Sequence, residues 1–312
     1  MSWIEKLTRR RRKTGLLAVV IEAGAIRFAH VDRAGGKKPK LVSWASIPSD
    51  GESDFQRVAK DQGLTRFECT TLLAPADYQM MLVEAPNVPR EELRSAIRWR
   101  IKDLLDYHVD DATVDVLEVP AESGGSAKAR SMYALAVPNE IVQKRIALFE
   151  GAGLNLGVID VPEMAQRNVA TLFEHAEGAT ALLSFGEWGG LLTISARGEL
   201  LLARRLEVTL GQLARTEHHA HYFERVTTEL KRSLDMFERQ YQPSQVVELL
   251  VAPMPEPTGL EAHLATEVYV PVRQIDMSEA IEFGSDAELT ATEAWQLFHL
   301  IGAALRVEEK AL

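Results

Sequence analysis

The sequence predicts an α/β chain folded as two related lobes, with a compact α+β subdomain along the way. Three observations carry that prediction. A trio of short strands, in "TGLLAVVIEAGAIRFAHV" and "LVSWASI", returns about 165 residues later as "ATALLSFGEWGGLLTISARGELLLARRLEV". Each trio is followed by helices and further strands, the pattern of two related lobes facing a cleft. The 312 residues of the chain suffice for two medium cores.

The elements follow in order. Strands are expected over Leu16–Ile21, Ala25–Val31 and Leu41–Ile47, separated by glycine-bearing turns. A helix over Asp54–Gln62 places Phe55, Val58 and Ala59 on one face, and "CTTLLA" reads as a buried strand. "YQMMLVEAP" is a strand. "NVPREELRSAIRWRIKDLL" is a helix, with Pro89 in its first turn and Leu93, Ile97, Ile101 and Leu104 recurring on one stripe. The strands "ATVDVLEV" and "SMYALAV" flank the polar loop "PAESGGSAKAR", and a helix from Asn139 to Glu150 closes this α+β unit. "NLGVIDVPEMAQRNVATLF" is a strand leading into a helix. After the second trio, a long helix places Tyr222, Val226, Leu230, Leu234, Phe237 and Tyr241 on one stripe. The strand "VVELLVAP" and a final helix, "ATEAWQLFHLIGAAL", complete the chain.

Composition narrows the function classes. Hydrophobic residues make up 46% and charged residues 26%, ordinary values for a globular protein. No apolar run approaches the ~20 residues of a membrane span, and no signal peptide is visible. The one cysteine, Cys69, excludes an internal disulfide framework and suits a reducing compartment, so a cytoplasmic protein is expected. Net charge is −10, and residues 1–13 alone hold six basic side chains against Glu5. The acidic remainder argues against nucleic acid as a partner, which requires a basic face. The head "MSWIEKLTRRRRK" sets Trp3 and Ile4 ahead of Arg9, Arg10, Arg11 and Arg12. That combination suits an anionic membrane surface; a solvated leader is the alternative. His218, His219 and His221 lack the i, i+4 spacing of a helical metal site, so no metal is expected. Cys69 lies in a strand-like run and reads as a structural thiol.

Four stretches carry a family resemblance: "EELRSAIRWRIKDLLDYHVDDATVDVLEV", "YALAVPNEIVQKRIALFEGAGLNLGVIDVPEMAQRNV", "TELKRSLDMFERQY" and "FHLIGAALR". Through them the chain resembles the PilM family of type IV pilus assembly proteins, especially its MshI branch from mannose-sensitive-haemagglutinin (MSHA) pili. These are actin-like (RNase H-like) proteins of the FtsA superfamily. The resemblance implies a basic leader at 1–14, a first lobe at 15–77 interrupted by an inserted α+β unit at 78–153 and continued at 154–177, a second lobe at 178–289, and a C-terminal helix at 290–312 returning to the first lobe. It implies a cytoplasmic protein docked beneath the inner membrane. It implies a groove beside the inserted unit that binds the N-terminal tail of a PilN-like bitopic partner. A pilus assembly ATPase or platform proteins are further implied partners. For the partner surface, the helix bearing Arg94, Ile97, Arg98, Ile101 and Leu104 is the expected place.

Against the nucleotide motifs of that superfamily the chain departs at each station. An actin-like ATPase holds phosphates on two glycine-rich hairpins and Mg²⁺ through acids at the strand ends. The Asp-X-Gly of the first hairpin is matched by Val20-Ile21-Glu22, so the metal-side acid is apolar and the turn glycine is an acid. At ~4 Å and an effective dielectric near 20, Glu22 would repel a phosphate by roughly 4 kcal/mol per charge pair. The second hairpin reads Ser184-Phe185-Gly186, followed by Glu187 and Trp188 ahead of Gly189. The adenine turn, Gly-Gly in the superfamily, is matched by "VAPMPEPTG" with Pro253 at its head. The expectation is a pseudo-ATPase adaptor without cofactor. Two alternatives stand beside it: an actin-like ATPase binding ATP and Mg²⁺, and a cytoplasmic domain like GspL of type II secretion.

Overall fold

The computed structural model describes residues 14–33, 38–120, 131–215, 217, 219–241, 244–284 and 288–307. The expected membrane-facing residues, Trp3, Ile4 and Arg9 to Arg12, lie outside the described residues, as does His218.

Strands β1 (Leu16–Glu22), β2 (Ala25–Asp32) and β3 (Lys40–Pro48) form an antiparallel meander. The β1–β2 turn closes at Gly24 with φ 84°, a left-handed conformation glycine adopts without a Cβ clash. Helix α1 (Glu52–Asp61) buries Phe55, Val58 and Ala59, the predicted face. β4 (Glu68–Leu72) then pairs with β1 in parallel.

The inserted unit holds β5 (Gln79–Glu84), α2 (Leu93–Ile101), β6 (Ala112–Glu118), β7 (Ser131–Pro138) and α3 (Asn139–Gly151). Its sheet runs β5-β7-β6. The expected helix through Leu104 is shorter: a 3-10 turn over Arg90–Glu92 precedes α2, and the helix ends at Ile101. α3 reaches back to the first lobe, where Phe149 packs edge-on against Phe55 at 5.0 Å.

β8 (Asn155–Asp160) and α4 (Pro162–Ala170) follow. The second lobe repeats the meander as β9 (Ala179–Gly186), β10 (Gly189–Ala196) and β11 (Glu199–Leu206). Beyond it lie α5 (Leu210–Leu213), α6 (His219–Gln240), β12 (Val246–Val251), α7 (Leu260–Glu267), β13 (Val272–Gln274), β14 (Glu282–Phe283) and α8 (Ala291–Ala304). α5, α7, β13 and β14 carry no strong periodicity and were not expected. The first sheet has the order β14-β3-β2-β1-β4-β8 and the second β11-β10-β9-β12-β13. β14 already pairs with β3, so the chain rejoins the first lobe before residue 290.

α4 and α8 pack directly against each other, sharing an apolar cluster with Ala165, Val169, Leu297 and Ile301. A Cβ on Gly302 would lie 2.1 Å from the carbonyl oxygen of Ala165, so only glycine permits this approach. Asn168 donates its side-chain amide to Gly302 O at 2.9 Å, tying the helices at the same point. The predicted stripe of α6, from Val226 through Leu230 and Leu234 to Phe237, is fully buried against the second sheet. Each such side chain contributes about 1.5–3 kcal/mol on burial.

Candidate functional site

Two places compete for function: the junction where the hairpins of the lobes meet, and a groove beside the inserted unit.

At the junction the hairpin positions are engaged by the protein's own side chains. Val20 is buried in the core beneath α4 and α8. Glu22 forms an ion pair with Arg27 of the adjoining strand. Burial pulls the Arg27 guanidinium below its usual range, and Glu187 of the second hairpin opposes that shift. Ser184 donates to Gln166 Oε1 at 2.6 Å. His299 Nε2 lies 3.3 Å from the same oxygen. That oxygen can only accept, so Nε2 carries the proton. Burial lowers the His299 pKa to about 4, so the ring is neutral near pH 7. Gln166 Nε2 in turn donates to Leu182 O at 2.8 Å and Leu191 O at 3.1 Å, sewing α4 to the second sheet. Trp295 donates to Phe185 O at 2.8 Å. The Trp188 indole covers the second turn: a Cβ on Gly186 would lie 3.0 Å from its Nε1, and its ring sits 6.2 Å from that of His299. Gly189 keeps a left-handed φ of 126°, and Pro253 lines a separate cavity of about 420 Å³ with Met254, Asp276 and Phe283. The side chains of Ser184, Gln166 and Trp295 beside the second hairpin are thus bonded within the protein.

The groove is a cavity of about 560 Å³. One wall is the inserted sheet, with Met80, Asp115 to Glu118, Tyr133 and Leu135; the other is β8 from Gly157, with Met164 and Arg167 of α4. Glu199 of the second lobe and Arg306 beyond α8 complete the rim. Arg306 pairs with the buried Asp160 at 2.8 Å. Burial raises the Asp160 carboxyl pKa, while Arg306 works against that rise. Arg167 donates to Gly198 O at 2.6 Å.

The helix expected to carry the partner surface is placed differently. Ile97 and Ile101 are each 0% exposed, packed with Val114, Val116 and Ala134 of the sheet. An amphipathic helix lying on one small sheet must turn its apolar stripe inward, so these two residues form core and present no surface. Arg98 is spent internally, donating to Ala112 O at 2.9 Å and Val109 O at 2.6 Å. Arg94 pairs with Asp115 at 3.0 Å on the groove side. Leu104, beyond the helix end, is 57% exposed and lines a second cavity of about 650 Å³ with Met81, Arg204 and Arg205. Trp99, 72% exposed, faces solvent beneath Lys102.

Sequence reasoning missed Gln166 and His299 at the junction and Met80, Leu117 and Met164 in the groove. A signal existed for the first: "PEMAQRN" places four polar residues in a helix with a buried sequence context, and Glu163, Gln166, Arg167 and Asn168 are all buried. Buried polar groups require partners, so such a run marks a joint. Burial pushes the Cys69 thiol up to about 12, which fits an inert structural role.

Two lobes built on repeated three-strand meanders, joined by α4 and α8 and carrying an inserted α+β unit, define an actin-like fold. Among solved structures, the chain resembles a PilM–PilN type IV pilus biogenesis complex with TM-score 0.69 and 19% identity, over 94% of this chain and 97% of that one. It resembles the cytoplasmic domain of EpsL, an inner-membrane component of the Vibrio cholerae type II secretion system, with TM-score 0.50 and 12% identity over 92% and 95% of the chains. A Bacteroides thetaiotaomicron protein with an actin-like ATPase fold and unknown function matches with TM-score 0.52 and 10% identity over 90% and 96%. No family model and no curated protein matches the chain. No helix among the described residues is long and apolar enough to cross a membrane.

Proposed function

We propose that the chain is a non-catalytic actin-like adaptor of a type IV pilus assembly platform, MshI-like and of MSHA type. In this reading it lies at the cytoplasmic face of the inner membrane and holds the N-terminal tail of a PilN-like bitopic partner in the groove between the inserted unit and the first lobe. The observation that carries the reading is the likeness to the PilM–PilN complex over nearly the whole of both chains, inserted unit included. The groove supports it, with an apolar floor and a size suited to several side chains of a peptide. The junction supports the non-catalytic part, because Glu22, Ser184 and Trp188 stand where phosphates and metal would need glycine, acid and open space.

The likeness to the EpsL cytoplasmic domain favours a second reading, a platform component of type II secretion with a similar recruiting role. One set of melts tests the primary reading. A ligand at 100-fold excess over its Kd stabilises the folded state by about 2.7 kcal/mol. The tail peptide of the partner should raise the melting temperature, and Mg·ATP should leave it unchanged. A rise with Mg·ATP would restore the ATPase alternative.

A further inference from the structure

We infer that the open edge of β5 pairs with β5 of a second copy of this chain, antiparallel about a two-fold axis at Leu82, joining two inserted sheets into one. The inference concerns the outer edge of the inserted sheet and stands apart from the adaptor reading.

Among the described strands β5 pairs only with β7, so one of its edges is open. Val119 N–H donates to Ser131 O at 3.1 Å, which marks the odd-numbered residues of β7 as those bonded to β6. Met132, Ala134 and Ala136 therefore bond to Val83, Met81 and Gln79, and the backbones of Met80, Leu82 and Glu84 turn outward. One observation agrees with that phase: Glu84 O accepts from the Arg100 guanidinium, outside the ladder, at 3.0 Å. The N–H and C=O groups of Met80 and Leu82 carry no hydrogen bond among the described residues. Proteins guard such edges with a charge, a proline, a bulge or sheer shortness. β6 carries Asp115, β11 carries Arg204 and Arg205, and β13 and β14 span three and two residues. β5 runs Met80-Met81-Leu82-Val83 without charge, proline or register shift, and Leu82 is 50% exposed.

Self-complementarity selects a second copy as the occupant. Only with Leu82 opposite its own symmetry mate do all three outward residues of each copy find partners, Met80 lying opposite Glu84 of the other copy. Met80, Leu82 and Glu84 share the face on which Tyr133 meets the second lobe, its hydroxyl accepting from Ala203 N–H at 2.9 Å. There Met80 borders the cavity of about 650 Å³ with Arg204 and Arg205, and Glu84 of the second copy enters it. Within its own chain Glu84 is exposed and paired only with Arg100, at 3.7 Å. Arg205 pairs with Glu163, while Glu229 is shared by Arg204 and Arg232. Three guanidiniums against two carboxylates favour an incoming acid. On the opposite face Arg100 travels with Glu84 and arrives beside Asp106. That carboxylate accepts from Gln79 at 3.0 Å and has no ion pair among the described residues.

The test uses the full chain without any ligand. Sedimentation equilibrium over a concentration series should show monomer and dimer in exchange, because a ladder of three residues falls short of a standard interface of about 1,600 Å². Leu82→Lys should abolish the dimer, and Glu84→Arg should weaken it about tenfold. Both side chains are exposed, and circular dichroism would check that folding is kept. Cysteine substitution reads the register. Opposed residues of a hydrogen-bonded antiparallel pair lie about 5.5 Å apart at Cα, within disulfide reach. Under mild oxidation Leu82→Cys should give a covalent dimer, and Val83→Cys, offset from its own mate, should do so far more slowly. The native Cys69 is 0% exposed and stays silent. A monomer at every concentration would overturn the inference. So would a dimer that Leu82→Lys leaves intact, or equal cross-linking at the two cysteine positions.

Discussion

Gly302 and His299 show how single positions fix the joint between the lobes. With a side chain at Gly302, the backbone of Ala165 would have to move, because it offers no flexible atom to yield. Gly302→Ala should therefore lower unfolding free energy by about 3 kcal/mol, read from denaturant melts, although alanine is the better helix former. His299 is held neutral with a pKa of about 4, below its ordinary 6.5. The unfolded chain takes up a proton first as pH falls, so stability is complete above about pH 6.5 and declines between 6.5 and 4. His299→Gln should flatten that decline in melts across the same window; an unaltered pH profile would assign it to other groups. Neither role was legible in the sequence. "FHLIGAAL" announces a buried helix, but that Gly302 meets Ala165 and His299 meets Gln166 depends on a crossing of segments more than a hundred residues apart.

At the scale of elements, α2 separates what periodicity can and cannot tell. The spacing of Leu93, Ile97 and Ile101 correctly marks an apolar stripe, yet a stripe alone cannot say whether it faces a partner or its own sheet. Here the sheet of β5, β7 and β6 takes it. Ile97→Asp buries an unpaired carboxylate and should cost about 4 kcal/mol, seen as loss of the inserted unit's cooperative melt. Trp99→Ala, on the opposite face, should change stability by less than about 0.5 kcal/mol and leave tail binding as it was. Weaker binding in that variant would move the docking surface to the outer face of α2. The strands of both meanders were legible because alternation and Gly-bearing turns are local signals. α5, α7 and β13 were not, since short elements in a polar context are fixed by what they pack against.

For the molecule as a whole, the proposed function turns on which gaps between the units stay open. Gln166, Ser184 and Trp295 bond across the interlobe joint and a cavity of about 420 Å³ remains beside Pro253 and Phe283, while the gap between the inserted unit and β8 is a groove of about 560 Å³. Met164→Glu, on the groove wall, should reduce tail affinity about tenfold in calorimetry by placing a desolvated carboxylate under the apolar segment. Retained affinity would exclude this groove.

The sequence by itself determined the two-lobed α/β plan, the inserted unit and the altered hairpin residues, because local periodicity and residue chemistry encode these directly. The tertiary structure alone decided that Ile97 and Ile101 are core, that Gln166 and His299 bridge the lobes, and that β6 and β8 face one groove. Those outcomes depend on which surfaces meet, and burial assigns a side chain its role only once its neighbour is in place.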